Sequence, residues 1–274
     1  MEKLNRLLSL PTIVLFLFSL SCVSVSGSNV LDDMNNAVRE MLPRQSVVFI
    51  EKTFELELCL PDKDGKEKCL RQKTGARGSG SVVGKIGNHS AILTADHVCT
   101  PNIRLPEGIP EELSKLIKIS NVKITIKDID GKVYETSILE MDKLNDLCLI
   151  RAKGLNTKPI IHLSGYAPKV GDTTYNVSYP LGIYLKGYVF SSTGFLNGYY
   201  IDEDTKVPYA VVSNVSIGGV SGSCVVNSKG KLIGLIHSGL SSFPFFSLSP
   251  TYEVLKNFLD TSFAKHCQNE KCSR

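Results

Sequence analysis

The sequence lacks the charge pattern of a nucleic-acid-binding protein. Its 31 basic and 27 acidic residues give a net charge of only +4, and no basic cluster is longer than short runs such as Lys66–Lys68. Nucleic-acid-binding domains concentrate lysine and arginine on one face or along one element. We therefore expect no nucleic-acid partner.

Internal repeats, low-complexity linkers and metal-binding spacings are missing as well. Hydrophobic residues make up 42% of the 274 residues, with 22 glycines and 12 prolines, which excludes collagen-like, coiled-coil and wholly disordered chains. The cysteines and histidines show none of the spacings of zinc sites, so no metal is expected. The length fits a globular protein of one large or two small domains.

Residues 1–26 differ in kind from the rest of the chain. Two basic residues precede the apolar run Leu7–Leu20, and small residues follow it, which is the layout of a secretory signal. Cleavage after Ser26 or lipidation of Cys22 is favoured over an uncleaved membrane anchor spanning Leu7–Val25. All three alternatives predict export, as a secreted, periplasmic or externally membrane-anchored protein.

Eight cysteines are present, and one lies in this leader, so an odd number remains and at least one thiol is unpaired. Cys59 and Cys69 flank a predicted hairpin turn, so they face each other across paired strands and are predicted to form a disulfide. Cys267 and Cys272 could close a small loop in an oxidising compartment. The cysteines of two apolar runs are expected to be small buried hydrophobes: Cys148 and Cys224.

The rest of the chain is predicted to form short strands separated by turns. Apolar or alternating runs recur at a spacing typical of β-sandwiches and β-barrels. The predicted strands are Ser46–Phe54, Gly80–Gly84, Ser90–Thr94, Val122–Lys127, Asp146–Ala152, Thr173–Val177, Tyr188–Phe195, Tyr209–Val212, Ser223–Val226 and Lys231–Ile236.

Helices are expected to be few. The segment Leu31–Leu42 has two aspartates near its start and ends before Pro43, and Pro110–Ile117 is acidic early and basic late. The segment Pro250–Ala264 places large apolar side chains on one face, so we expect a helix that packs against the strands. These side chains are Tyr252, Leu255, Phe258 and Leu259.

Three segments carry histidine, aspartate and serine in an order that suggests nucleophilic chemistry. They are Thr94-Ala95-Asp96-His97, Asp146-Leu147-Cys148-Leu149-Ile150 and Gly219-Val220-Ser221-Gly222-Ser223. A serine hydroxyl is a weak nucleophile, so it needs an imidazole to take its proton and a carboxylate to orient that imidazole. Asp146 is preferred over the nearby Asp142 because only Asp146 opens an apolar run. The direction of the carboxylate of Asp96, beside His97, stays open.

These segments resemble those of the chymotrypsin-like serine proteases, most closely the HtrA/Deg-type and related bacterial or viral trypsin-like peptidases. Gly78–Val82 and Tyr179–Gly182 resemble further family motifs, and the resemblance spans Ser46–Leu259. It implies an all-β fold of two antiparallel six-stranded β-barrels with a C-terminal helix. The expected division is a helical segment at 27–44, barrels at 45–153 and 154–250, and a helix and tail at 251–274. No segment after Leu259 is long enough for a PDZ domain, so a monomer is the simpler expectation.

Residue by residue, the resemblance implies a serine endopeptidase that hydrolyses protein or peptide substrates through an acyl-enzyme, without a cofactor. Ser221 corresponds to the nucleophile, His97 to the general base and then general acid, and Asp146 to the residue that orients His97. The backbone N–H groups of Gly219 and Ser221 correspond to the oxyanion hole. A catalytically silent binding or scaffold protein is the first alternative, and an esterase is the second.

Further positions are expected to bind substrate. Val215 lies six residues before Ser221, where trypsin has an aspartate, so an apolar or small P1 side chain is expected. His237, Ser238 and Gly239 match the strand that walls the S1 pocket and pairs with the substrate backbone. His237 is interpreted equally as a pocket wall or as structural support. It lies one residue from the place of the histidine of glutamyl endopeptidases, so a preference for glutamate is not favoured.

Overall fold

Two antiparallel β-sheets form most of the part of the protein that the structure describes. The computed structural model describes residues 40–61, 64, 66–101, 116–155, 158–240, 243–268 and 270–274. Within these ranges each sheet has seven strands, and α-helices and two 3₁₀ turns accompany them. The 3₁₀ turns are Arg44–Ser46 and Pro180–Gly182.

The first sheet closes into a barrel. Six of its strands are β1 (Val47–Pro61), β2 (Glu67–Ile86), β3 (His89–Thr94), β4 (Ile117–Lys127), β5 (Val133–Asp142) and β6 (Leu147–Ala152). They pair in the order β1-β4-β5-β6-β3-β2, and β2 pairs again with β1, so the sheet closes on itself. Its interior is filled by fully buried side chains, among them Val82, Ile92 and Ile150.

The second sheet holds the later strands. They are β7 (Thr173–Ser178), β8 (Phe190–Ile201), β9 (Pro208–Val212), β10 (Ser223–Val226), β11 (Leu232–Ile236), β12 (Ser238–Leu240) and β13 (Phe243–Pro250). Their order is β11-β10-β7-β8-β9-β13-β12. The two end strands, β11 and β12, are separated in the chain only by His237, whose N–H donates to the carbonyl of Leu248 on β13 at 3.1 Å. The two end strands are therefore consecutive in the chain at His237, and the sheet curves into a half-barrel, which we call the second barrel.

A short helix and a long helix pack on these barrels. The single turn α1 (Asp96–Cys99) follows β3, and α2 (Tyr252–His266) follows β13. The hydroxyl of Thr251 accepts a hydrogen bond from the N–H of Val254 and so caps the start of α2. The buried side of α2 carries Tyr252, Leu255, Phe258, Leu259, Ser262 and Phe263. After α2 the short strand β14 (Cys272–Ser273) pairs with the end of β2.

The predicted all-β fold with two antiparallel barrels and a C-terminal helix is confirmed. The helix predicted at Pro250–Ala264 is found at Tyr252–His266. The sequence pattern misses β5, because most of its side chains are exposed or half-buried and it contains no continuous apolar run. It also misses β13, because Pro244 and Pro250 are residues that usually interrupt strands.

Several expectations lie outside the described residues. The leader at 1–26 does so entirely, and the predicted helix Leu31–Leu42 lies outside them except for its last three residues. Pro110–Ile117 lies mostly outside them too, and its last residue begins β4. The part of the chain that is described contains no helix with the length and apolar character needed to cross a membrane. The domain boundaries after residues 44, 153 and 250 stay predictions.

Disulfides cross-link the described residues at three places: Cys59–Cys69, Cys99–Cys148 and Cys267–Cys272. The hairpin disulfide is confirmed, since its two cysteines pair directly across β1 and β2, and so is the small loop of the tail. The prediction for Cys148 is wrong, because this residue is bonded to Cys99 at the end of α1. Cys224 is a buried free thiol, as expected, and burial raises its pKa to about 11.

The Cys99–Cys148 disulfide is expected to stabilise the protein more than the hairpin disulfide does. It links residues 49 positions apart, against 10 for Cys59–Cys69. We predict that Cys99→Ala/Cys148→Ala lowers the free energy of unfolding by about 4 kcal/mol, measured by urea denaturation without reductant. Cys59→Ala/Cys69→Ala is the matched control, with a loss below about 3 kcal/mol. Equal losses in the two variants would contradict this account.

Candidate active site

Strand pairing brings His97 and Asp146 to the same edge of the first barrel. Strands β3 and β6 are neighbours, and Thr94 at the end of β3 lies opposite Cys148 near the start of β6. The chain that leaves β3 therefore meets the chain that enters β6. His97 lies on α1, directly after β3, and Asp146 lies in the turn just before β6.

Two hydrogen bonds join Asp146 to His97. Oδ2 of Asp146 lies 2.7 Å from Nδ1 of His97, and Oδ1 accepts a 2.9 Å hydrogen bond from the main-chain N–H of His97. The backbone of Asp146 is left-handed, with φ of 52°, a conformation that aspartate adopts more readily than most residues. This turn aims the carboxylate back at α1, so both the ring and the main chain of His97 are held.

His237 contacts the same carboxylate from the second barrel. Its Nδ1 lies 3.4 Å from Oδ2 of Asp146, and its side chain is only 6% exposed. The ring packs against Tyr209, with 5.0 Å between the ring centroids. Its Nε2 is buried and has no hydrogen-bond partner among the described residues. One carboxylate therefore lies between two imidazoles.

The surroundings of Asp146 determine its charge. Burial favours the neutral form, but the hydrogen bonds from His237 and His97 outweigh burial, so the pKa of this carboxyl lies well below its usual range. The unfolded chain would release this proton near a pKa of about 3.9. The stability that Asp146 contributes is therefore present above that pH and is lost as the pH falls towards the pKa of the folded state.

Ser221 lies in the turn between β9 and β10, and the first barrel holds this turn through Ser79 on β2. The N–H of Ser79 donates to the carbonyl of Ser221 at 2.8 Å. Its hydroxyl donates to the carbonyl of Gly219 at 2.8 Å and accepts from the N–H of Tyr179 at 2.9 Å. Ser79 is fully buried. These bonds give a physical reason for the motif Gly78–Val82.

Two glycines give the turn around Ser221 its shape. Gly219 and Gly222 have φ of 89° and 84°, which favour glycine. A Cβ at 219 would collide with backbone atoms of Gly182 and Tyr179, and a Cβ at 222 would collide with Ser79 and Thr94. Within the described residues, neither Gly219 nor Ser221 uses its backbone N–H to bond a protein acceptor.

A cavity of about 660 Å³ lies over His97, Asp146 and Ser221. Six of the residues singled out in the sequence line it: His97, Asp146, Ser221, His237, Ser238 and Gly239. Val215 does not line it and is half-buried in the segment after β9, but its neighbour Ser216 does. His237 lines the cavity and contacts Asp146, so its position combines the two interpretations that the sequence left open.

The hydroxyl of Ser221 is turned towards the second barrel. It donates to the carbonyl of His237 over 3.5 Å. In the part of the chain that is described, no hydrogen bond joins Ser221 to His97, although both face the same cavity.

Lys52 on β1 is a site residue that the sequence analysis missed. Its side chain is 2% exposed, and its Nζ donates to the carbonyl of His97 at 2.8 Å and to that of Thr100. Burial lowers the pKa of Lys52 to about 8, and the nearby carboxylate of Asp96 opposes this shift. Strand alternation was the available signal, since it places Lys52 on the same buried face as Ile50.

The carboxylate of Asp96 is directed at the end of its own helical turn. Oδ2 accepts a 3.0 Å hydrogen bond from the hydroxyl of Thr100, and Oδ1 is buried without a partner among the described residues. Burial raises the pKa of this carboxyl above its usual value. Asp96 therefore faces the interior beside Lys52, which answers the question of its direction.

A group of side chains close enough to hold a metal ion occurs outside the cavity, on the β1–β2 hairpin. It consists of Glu57, Cys59 and Cys69. The two sulfurs are joined in a disulfide, and the thiolate form that binds metal is therefore absent. We assign this group no metal-binding role.

Comparison with known proteins points to the same region. A family model described as the trypsin-like peptidase domain matches residues 78–235, a range that contains His97, Asp146 and Ser221. Relatives named "Serine protease HtrA-like" from Staphylococcus aureus strains MRSA252 and bovine RF122 / ET3-1 are each 27% identical, over 224 and 221 residues. The match covers 77% of this chain and 25% of each relative, so the chain spans about a quarter of their length.

Substitution of Gly219 is expected to distort the turn that carries Ser221. In Gly219→Ala, the new Cβ meets main-chain atoms at a left-handed φ, so we predict that the free energy of unfolding falls by about 2–5 kcal/mol. Gly218→Ala is the matched control, because a Cβ there has open space around it, and it should change stability by less than about 0.5 kcal/mol. Denaturant melts of both variants measure the difference. Similar losses would show that the close backbone contact is unimportant.

Proposed function

Because the chain belongs to the trypsin-like peptidase family, we propose that it is a serine endopeptidase that hydrolyses peptide bonds through an acyl-enzyme. The observation that carries this proposal is the hydrogen-bonded pair of His97 and Asp146 on the wall of the cavity that also holds Ser221. The relatives named as serine proteases support the same reaction class. Proteins or peptides are the proposed substrates, and the reaction requires no cofactor.

Asp146 sets the tautomer of His97 in this mechanism. An ionised carboxylate at 2.7 Å from Nδ1 can only accept a hydrogen bond there, so the ring carries its proton on Nδ1 and leaves Nε2 free as a base. When Nε2 takes the proton of Ser221, Asp146 stabilises the imidazolium that forms. The ring later gives that proton to the leaving amine.

Attack by Ser221 requires one side-chain rotation. The hydroxyl leaves the carbonyl of His237, to which its 3.5 Å hydrogen bond is weak, and turns towards Nε2 of His97. Catalytic hydrogen bonds are often long in unliganded enzymes and tighten when substrate binds. Hydrogen bonds from the N–H of Ser79 to the carbonyl of Ser221 and from the N–H of Gly222 to the carbonyl of Ile236 hold the backbone of Ser221 in place. Only the side chain is proposed to move.

The turn around Ser221 supplies the oxyanion hole of this proposal. The N–H groups of Gly219 and Ser221 have no acceptor among the described residues. Donors held in place before the reaction stabilise the charge that develops on the substrate carbonyl, and loss of one such donor typically costs about 3 kcal/mol. The hydroxyl of Ser79 fixes the carbonyl of Gly219 and with it the orientation of this loop.

Substrate would bind along β12, beside Ser238 and Gly239. A Cβ at 239 would collide with the side chain of Ser216, so the two sides of the cavity lie close together at this point. A narrow cavity accommodates small side chains more readily than long ones. We therefore propose a small or apolar P1 residue, bound beside Ser216 and its chain neighbour Val215, with His237 on the side of the cavity where Asp146 lies.

We also propose that the protein works outside the cytoplasm, as a monomer. The disulfides among the described residues are typical of oxidising compartments. The leader at 1–26 supports export by cleavage, by lipidation or by membrane attachment of the N-terminus.

Labelling with a fluorophosphonate probe tests the proposed reaction. We predict one label per molecule, on Ser221, in the wild-type protein and none in Ser221→Ala. In a peptide-library assay Asp146→Asn should lower kcat by about 10⁴-fold, because the amide disturbs the tautomer of His97.

The other outcomes of this experiment identify the alternatives. Folded wild-type protein that stays unlabelled would favour a binding or scaffold protein. Labelled protein that cleaves acyl esters but no member of the peptide library would favour an esterase. Circular dichroism of Ser221→Ala serves as the folding control, because the substitution removes only one oxygen atom.

A further inference from the structure

Lys52 is a buried charge beside His97, and the proposed reaction gives it no part. Burial of an ammonium group carries a large desolvation cost unless hydrogen bonds and an opposite charge offset it. A methionine would fill a similar volume on this face of β1 without that cost. A charge at a position that is 2% exposed therefore suggests a role that needs the hydrogen-bond donors of this side chain.

The ammonium group of Lys52 donates hydrogen bonds to carbonyls at the C-terminal end of α1. The last carbonyls of a helix have no partner within the helix, and α1 is a single turn, so its end depends on outside groups. Nζ of Lys52 bonds the carbonyls of His97 and Thr100, and a cation is favourable at this end of a helix. The same turn is closed internally by the N–H of Thr100, which bonds the carbonyl of Asp96 at 2.8 Å.

We propose that Lys52 is a positioning residue for His97, whose ammonium group fixes the helical turn that presents the imidazole to Ser221. This inference rests on the proposed function, since it assigns His97 a catalytic part. The hydrogen bonds of Lys52 go to the main-chain carbonyls of His97 and Thr100, so we assign it no direct part in the bond-breaking step. It acts through the main chain of His97. Lys52 binds the carbonyl of this residue, and Asp146 binds its N–H.

Charged groups surround Lys52 on both sides. It lies in the wall between the cavity over Ser221 and a groove on the far side of Gly218 and Gly219. Asp96 provides the opposite charge that acts on it. The other titratable or charged residues that line the two spaces are His97, Asp146 and His237 on one side, and Glu51, Lys73 and Arg77 on the other. Glu51 and Arg77 pair with each other at 3.5 Å.

The protonation of Lys52 gives this role a pH dependence. Hydrogen bonds from a charged donor are about twice as strong as those from a neutral one. Burial lowers the pKa of Lys52 to about 8, so its proton is lost in a range in which an arginine would stay charged. We therefore expect kcat to fall above about pH 8 while the bonds to the turn weaken.

Two variants test the proposal by peptide hydrolysis between pH 6.5 and 9.5, with kcat and KM measured separately. Lys52→Met removes the donors and should lower kcat about tenfold or more, with KM changed less than about twofold. Lys52→Arg keeps the donors and the charge. Its kcat should therefore be close to that of the wild type at pH 7, and it should not show the decline above pH 8 that is expected of the wild type. A folded Lys52→Met protein with the kcat and pH profile of the wild type overturns the proposal. If Lys52→Met does not fold, a Lys52→Arg profile that still declines above pH 8 overturns it.

Two readouts separate this proposal from the proposed function. If the wild type is inactive, the function itself fails, and amide exchange at Thr100 then tests the positioning role. Exchange should be faster in Lys52→Met, and unchanged exchange in a folded variant overturns the proposal. Between about pH 8 and 10.4 Lys52 is protonated in the unfolded state and largely neutral in the folded state. The free energy of unfolding of the wild type should therefore increase, relative to that of Lys52→Met, as the pH rises through this range.

Discussion

The carboxylate of Asp146 is the interaction on which the rest of the site depends. It accepts hydrogen bonds from the main chain and the ring of His97 and contacts the ring of His237. An anion that is partly removed from water, as this half-buried carboxylate is, is stabilised by such donors. Because α1 belongs to the first barrel and His237 joins β11 to β12 in the second, one charged group links the elements that hold the site.

Ser221 depends on the same junction. Its carbonyl is bonded to Ser79 of the first barrel, and the N–H of Gly222 is bonded to the carbonyl of Ile236 in the second barrel at 2.7 Å. The hydroxyl of Thr94 donates to the carbonyl of Ser79 at 2.8 Å, so the end of β3 supports the strand that holds the turn. These bonds are in place before any substrate binds, which is the condition for stabilising a developing charge at low cost.

The sequence was sufficient where local patterns decide the outcome. Motifs placed His97, Asp146 and Ser221 in candidate roles, alternating runs and turn residues predicted the strands, and the family resemblance implied the two barrels. It was insufficient where contacts distant in the chain decide. The apolar surroundings of Cys148 gave no sign of Cys99, which only the pairing of β3 with β6 brings near.

His237 and Lys52 also show that contacts between residues distant in the chain cannot be predicted from local patterns. The sequence could not tell which way His237 faces, because a strand that breaks at this residue follows no simple alternation. Lys52 did follow the alternation, but a lysine in a strand is usually read as exposed. Its partners are main-chain carbonyls. Every residue type has such a carbonyl, so the sequence does not show where these partners lie. Recognition of its role therefore required the arrangement of α1 over β1.

The most direct test of this account is a crystal structure of the protein after reaction with a fluorophosphonate. We predict that phosphorus is bonded to Oγ of Ser221, with the phosphoryl oxygen about 3 Å from the N–H groups of Gly219 and Ser221. Nδ1 of His97 should remain on Asp146, with Nε2 facing the modified serine. A label on another residue, or an imidazole turned away from Asp146 in the labelled protein, would contradict the account.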